Sequence, residues 1–234
     1  MRILLVHGWG ANGNAWRQIT DLVSEWSETT APDLRGHGTQ IDADGPYTIG
    51  ALADDLAKMI HDPVVAVGHS MGGQVVADLA ARYPELVTAV VVIDPAYGAD
   101  DEEIALAPDR LADLRERGSE AGAEFVDRAF PQTNELHRET RAAMERTPGD
   151  VLADLYESMY LAPGSFGHRP ATRDFLATAQ HPFHSLYSTG RAADFAMSLT
   201  WPAGSTIEVW PGTGHYLHQE HPDRFAQLLG DRLT

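Results

Sequence analysis

Val64-Val65-Ala66-Val67-Gly68-His69-Ser70-Met71-Gly72-Gly73 is the stretch on which the fold turns. Four small or β-branched apolar residues read as a strand buried on both faces. They run without a break into G-x-S-x-G. Beyond it Val76, Leu79, Ala80 and Tyr83 recur at helical spacing, and Pro84 stops the helix. A serine between a strand and a helix, with glycine two residues to either side, is the pattern of a sharp turn that lifts a hydroxyl above the sheet. Side chains at the two glycines would clash with a turn that tight. The helix that follows points its N-terminus, with its free N–H groups, beneath the serine, where they favour developing negative charge.

Outward from Ser70 the same alternation continues. Ile3–Val6, Thr29–Ala31, Val87–Ile93, Phe183–Tyr187 and Thr206–Trp210 read as further strands. Helical spacing follows at Trp16, Ile19, Val23 and Trp26, and again at Ile49, Leu52, Ala53, Leu56 and Ile60. Alternating strands and helices predict an α/β fold, a mostly parallel sheet of about six strands with helices on both faces. A last helix is expected to start at Pro222, a favoured first-turn residue, with Phe225, Leu228 and Leu229 inward. Between Ala99 and His181 the strand signal disappears, leaving helical pieces rich in Arg, Glu and Asp. The expected organisation is therefore a core of residues 1–98 and 182–234, interrupted by a helical cap over residues 99–181.

Composition sets outer bounds. The chain has 234 residues, a net charge of −17 and no cysteine, and Lys58 is its sole lysine. Disulfides, thiolate metal sites and cysteine nucleophiles are excluded. The acidity argues against nucleic acid and anionic membrane surfaces as partners, since both need a basic face. It is diffuse, as on a solvated surface. No apolar run reaches the length of a membrane helix, and the four-residue apolar start is too short for a signal peptide, so a cytoplasmic protein is expected.

A serine hydroxyl is a poor nucleophile until a neighbouring base takes its proton. Eleven histidines compete for that role. His215 is favoured because Gly212-Thr213-Gly214-His215 follows the last strand, at the sheet edge where Ser70 stands and where open α/β sheets build their sites. His69 adjoins the serine. His215, His218 and His221 invite a metal reading by their spacing, but no H-E-x-x-H and no carboxylate at ligand spacing accompanies them, and no metal is expected. Two carboxylates could orient the base: Asp194, beyond the Phe183–Tyr187 strand, which is favoured, and Asp94, beyond Val87–Ile93, the alternative. The oxyanion would rest on the N–H groups of Met71 and Trp9. Trp9, His69, Tyr156 and Tyr160 are the candidate substrate contacts.

Taken together, His7-Gly8, Asp33-Leu34-Arg35-Gly36-His37-Gly38, Gly68-His69-Ser70-Met71-Gly72-Gly73 and Gly214-His215-Tyr216-Leu217-His218-Gln219-Glu220 resemble the successive signatures of the α/β-hydrolase superfamily. More narrowly they resemble its small, cofactor-free esterases and lactonases. The resemblance implies the α/β-hydrolase fold, a Ser–Asp–His triad, an oxyanion hole at Trp9 and Met71, and a helical cap. It implies no cofactor and an ester or lactone as substrate; Phe125, Phe130, Met144, Tyr156, Met159, Tyr160 and Phe166 of the cap suggest an apolar pocket roof and so a small hydrophobic one, for a monomer or homodimer. Cleavage would pass through an acyl-enzyme. Carbon–carbon bond or amide hydrolysis uses the same triad, and a slow-turnover, receptor-like binder shares the fold. There are two departures. The chain begins at what would be the family's third strand, which predicts six strands rather than eight. The family's acid stands three residues after a glycine, but that position here is Ala193, one before Asp194.

One pattern competes. Gly8-x-Gly10-x-x-Gly13 follows a strand, with Asp33 twenty residues on and Arg35 beside it, which read alone is a dinucleotide fingerprint. It is set aside because it leaves the Ser70 turn and the Gly-His loop unexplained.

Overall fold

The computed structural model describes residues 1–130 and 132–233. Six strands form one sheet in the order β2-β1-β3-β4-β5-β6, every neighbouring pair parallel. They are β1 (Arg2–Val6), β2 (Glu28–Thr30), β3 (Val64–His69), β4 (Val87–Ile93), β5 (Phe183–Tyr187) and β6 (Thr206–Val209). The expected strands are all present. β3 runs two residues further than its apolar run, up to the turn, and β6 stops before Trp210.

Period-2 alternation decides which helices cover which face. Leu4, Val6, Ala66, Val90 and Val92 pack on α2 (Ile49–Met59) and α3 (Met71–Arg82) through Leu52, Leu56, Val76 and Leu79. On the other face Ile3, Leu5, Val65, Val67 and Val91 meet Trp16, then Ile19 and Val23 of α1 (Arg17–Val23), and Phe225 and Leu229 of α12 (Pro222–Leu233). Each such Val, Leu, Ile or Phe, fully removed from water, stabilises the fold by about 1.5–3 kcal/mol before chain entropy is counted. Pro222 is the first residue of α12, as its chemistry suggested.

Between β4 and β5 the described residues form only helices: α4 (Asp101–Ala105), α5 (Ala107–Arg117), α6 (Ser119–Ala129), α7 (Glu135–Arg146), α8 (Gly149–Tyr160) and α9 (Arg169–Leu176). Their two ends meet where Ala99 pairs with His168. There Ala99 N–H donates to the Gly167 carbonyl at 2.9 Å, and Arg169 N–H to the Ala99 carbonyl at 2.9 Å. The segment has a small core of its own, built on Leu114, Val126, Phe130, Met144 and Leu152.

The connection from β1 leads to β2 on one side, and β3 then lies on the other side of β1. The loops after β1 and β3 therefore face each other across a crevice, the place where such sheets bind ligands.

Candidate active site

Ser70 occupies the turn between β3 and α3 with φ 53° and ψ −117°, a left-handed backbone that costs a residue bearing a side chain on the order of 1–3 kcal/mol. Neighbouring carbonyls and amides hold it there. Ser70 N–H donates to the Ile93 carbonyl at 2.9 Å, while its own carbonyl accepts from Gly73 N–H at 2.9 Å and Ala96 N–H at 3.0 Å. The flanking glycines are needed for close approach. A Cβ on Gly68 would strike the Gly72 carbonyl, and one on Gly72 would strike the carbonyls of Val6 and His7.

His215 lies in the loop after β6, and its Nδ1 is 3.2 Å from Asp94 Oδ2. A carboxylate can only accept, so Nδ1 carries the proton and Nε2 presents a lone pair. That Nε2 is buried and has no hydrogen-bond partner among the described residues. Asp94 follows β4, in left-handed backbone at φ 39°. Ser188 fixes its carboxylate, the N–H on Oδ1 at 2.8 Å and the hydroxyl on Oδ2 at 2.5 Å.

The structure thus brings Asp94, the alternative acid, to His215, and leaves the favoured Asp194 apart. Asp194 sits on α10 (Gly190–Met197) with its side chain exposed. The turn after β5 contributes Ser188 to the carboxylate, and the chain then enters α10 with Asp194 on its outer face.

The N–H groups expected to face an oxyanion belong to Trp9, in the loop after β1, and to Met71, the first residue of α3. Neither Trp9 N–H nor Met71 N–H finds an acceptor among the described residues. Two buried histidines brace this loop. His7 Nδ1 donates to the Gly8 carbonyl at 2.8 Å, and its Nε2 accepts from Leu34 N–H at 3.0 Å. His37 Nε2 accepts from Gly10 N–H at 3.2 Å, and its Nδ1 donates to the Arg35 carbonyl at 3.1 Å. Burial pushes His7 down to about 4 and His37 to about 3, so both rings stay neutral and can make these bonds. Both histidines lie in motifs visible in the sequence, but their bracing role is not. A histidine beside each glycine turn was the visible signal.

Asp33 completes the brace. Its carboxylate accepts from Gly13 N–H at 2.7 Å and from Thr39 N–H at 2.7 Å, with the Thr39 hydroxyl at 2.8 Å. Burial acts to raise its pKa, but these donors outweigh it and the pKa is lowered. Arg35 is committed in turn to Asp55 through two bonds of 2.8 Å. The two residues that suggested a dinucleotide are thus both occupied in holding loops.

His69 donates Nε2–H to the His215 carbonyl at 2.9 Å. Its ring packs against those of His215 and His218, each at 4.7 Å. Burial first, then the neighbouring His215 and His218, hold its pKa well below the usual histidine range. Among the described residues no group of three or more histidines, cysteines or carboxylates is arranged to hold a metal ion.

The helical segment supplies an aromatic roof. Trp9 donates its indole N–H to the Leu152 carbonyl at 3.0 Å and meets Phe125 edge-on at 6.0 Å and Tyr156 at 6.3 Å. Tyr156 in turn contacts Tyr160 at 5.1 Å. Phe125, partly exposed, also sets its ring across His215 at 5.8 Å. Tyr160 lines a cavity of about 300 Å³ with Asp94, Tyr97, Tyr187 and His215. Burial raises the hydroxyl pKa of Tyr156 and Tyr160, so both stay neutral hydrogen-bonding groups.

A sequence profile described as "Alpha/beta hydrolase family" matches residues 3–228. The chain is 32% identical to lipase LipV of Mycobacterium tuberculosis, over 99% of this chain and 93% of that one. It is 27% identical to a pimeloyl-[acyl-carrier protein] methyl ester esterase of Yersinia enterocolitica, over 98% and 92%. In fold it is similar to a thermophilic esterase from Thermogutta terrifontis, with a TM-score of 0.83 at 23% identity over 100% of this chain and 89% of that one. An enol-lactonase from Burkholderia xenovorans gives 0.79 at 22% identity, over 99% and 90%.

Proposed function

The chain belongs to the alpha/beta hydrolase family, and from that premise we propose that it hydrolyses a carboxylic ester or lactone with Ser70, His215 and Asp94 as its catalytic triad. The observation that carries this reading is the left-handed Ser70 turn at the same sheet edge as a histidine whose Nδ1 is tied to a carboxylate and whose Nε2 is free. The esterase and lipase relatives support the substrate class.

In the reaction, Ser70 Oγ attacks the ester carbonyl carbon as His215 Nε2 takes the hydroxyl proton. The carbonyl oxygen becomes an oxyanion facing Trp9 N–H and Met71 N–H, where oriented dipoles cost no reorganisation as charge develops. Asp94 keeps the imidazole in the Nδ1–H tautomer and stabilises its cation. When the tetrahedral intermediate collapses, the C–O bond to the alcohol breaks and His215 returns the proton to the leaving oxygen. An acyl-serine remains. Water then attacks it by the same route, with His215 again as base, and carboxylic acid and free Ser70 result. A lactone follows the same steps, with the alcohol still tethered to the acid. No hydrogen bond joins Ser70 Oγ to His215 among the described residues, a contact that commonly tighten only when substrate is bound.

Residues 99–181 act as a cap. The rings of Trp9, Phe125 and Tyr156 cluster beside His215, while the cavity at Asp94 and His215 is lined by both aromatic and charged residues, Tyr97, Tyr160 and Tyr187 with Glu103, Arg169 and Arg191; the aromatic cluster suits a small or medium hydrophobic acyl or alcohol group. No helix among the described residues is long and apolar enough to cross a membrane. The test is turnover on a panel of chromogenic esters and lactones of graded length. Turnover at ordinary enzymatic rates on short or medium chains is expected. Binding without turnover across the panel would instead favour a receptor-like protein.

A further inference from the structure

The loop that carries His215 is held up to the residue before it: the Thr213 hydroxyl donates to the Trp210 carbonyl at 2.7 Å, and Gly214 N–H to Glu220 Oε2 at 2.9 Å. It springs from β6, an edge strand paired only with β5 and half-buried along its length. Gly212 turns it at φ 82°, in open space. A general base has to sit within a few tenths of an ångström of its working position, and the backbone of His215 itself is restrained from outside the loop.

Much of that restraint comes from the cap. His215 N–H donates to the carbonyl of Ala129, the last residue of α6, at 3.3 Å. The residue following each partner of this contact then pairs: Phe130 stacks on Tyr216 at 4.4 Å with the rings 13° from parallel. Both are buried, at 7% and 4% exposure, and Tyr216 belongs to the core of the cap rather than to either core of the sheet. Phe130 is itself fixed from behind by His137 of α7, edge-on at 5.4 Å. His137 is held by Asp127 at 2.8 Å, and Asp127 by Arg141 at 2.7 Å. From the sheet side, the one hydrogen bond onto the His215 backbone is the one from His69. With its side chain tied to Asp94, the backbone of the base is gripped between the core, through its carbonyl, and the cap, through its N–H and the ring of the following residue.

We infer that Phe130 is a positioning residue for the general base: its stack on Tyr216, beside the Ala129–His215 hydrogen bond, makes the alignment of His215 depend on the docked cap. This rests on the reading of His215 as base. A cap that lifts to admit substrate would loosen the base, and one that settles would restore it, so that entry and chemical competence are linked.

The test compares Phe130→Ala with Phe130→Tyr and with Leu114→Ala. Leu114 lies in the same cap core, at 5% exposure, and makes no ring contact or hydrogen bond with residues 215 and 216. Phe130→Ala is expected to lower kcat by about 100-fold, the scale of a 1 Å misplacement, with KM little changed. Phe130→Tyr should restore kcat, and Leu114→Ala should destabilise the cap yet keep it. The downfield proton resonance of His215 Nδ1–H should be sharp in wild type and Leu114→Ala and broadened in Phe130→Ala. Unchanged kcat in Phe130→Ala, or an equal loss in Leu114→Ala, would overturn the clamp while His215→Gln is inactive. Turnover retained by His215→Gln would instead overturn the base assignment, and the clamp with it.

Discussion

His215 Nδ1 lies 3.2 Å from Asp94 Oδ2, joining the loop after the edge strand β6 to the end of β4, two strands away in the sheet. The carboxylate that reaches the imidazole is therefore the one that follows the central strand. It is aimed by its left-handed backbone at φ 39° and by two bonds from Ser188.

Asp94→Asn should lower kcat by about 10⁴-fold, because an amide at this position favours the wrong imidazole tautomer. Asp194→Asn, on the exposed face of α10, should leave kcat within about twofold, as expected of a surface change. Steady-state kinetics of the two variants on one ester separates them.

Folding should weaken on mild acidification. His7, His37 and His218 are held by burial at about 4, 3 and 3 against an ordinary value of 6.5. Below pH 6.5 the unfolded chain takes up protons that the folded chain refuses. Stability is thus full above about pH 6.5 and falls as pH drops toward 4, by up to several kcal/mol in all. Urea midpoints at pH 7.5, 6 and 5 should decline in that order, and His37→Gln should flatten the slope.

Gly72→Ala should cost about 1–3 kcal/mol or prevent folding, since its Cβ would meet the carbonyls of Val6 and His7 where β1 passes α3. Thermal melts beside a Gly190→Ala control, whose Cβ would meet nothing within 4 Å, isolate the steric effect.

The fold was legible wherever chemistry is local. Val64–Val67 and Val87–Ile93 are apolar because helices cover both faces, and Gly68, Ser70 and Gly72 declare their turn by spacing alone. His215 stood out because glycine precedes it after a strand. The choice between Asp94 and Asp194 was not legible, since it depends on a backbone twist at residue 94 and on a hydroxyl 94 residues away. The bracing by His7 and His37 was hidden for a similar reason: each accepts from an N–H 27 residues distant. Nothing in the sequence joins Phe130 to Tyr216, 86 residues apart, until folding stacks them.

Labelling with a fluorophosphonate, followed by peptide mass mapping, tests most directly whether Ser70 is the nucleophile activated by His215 and Asp94. One adduct on the peptide bearing Ser70 is expected, absent from Ser70→Ala and formed far more slowly in His215→Gln and Asp94→Asn. An adduct on any other residue, or labelling of Ser70 at an undiminished rate in both of those variants, would contradict it.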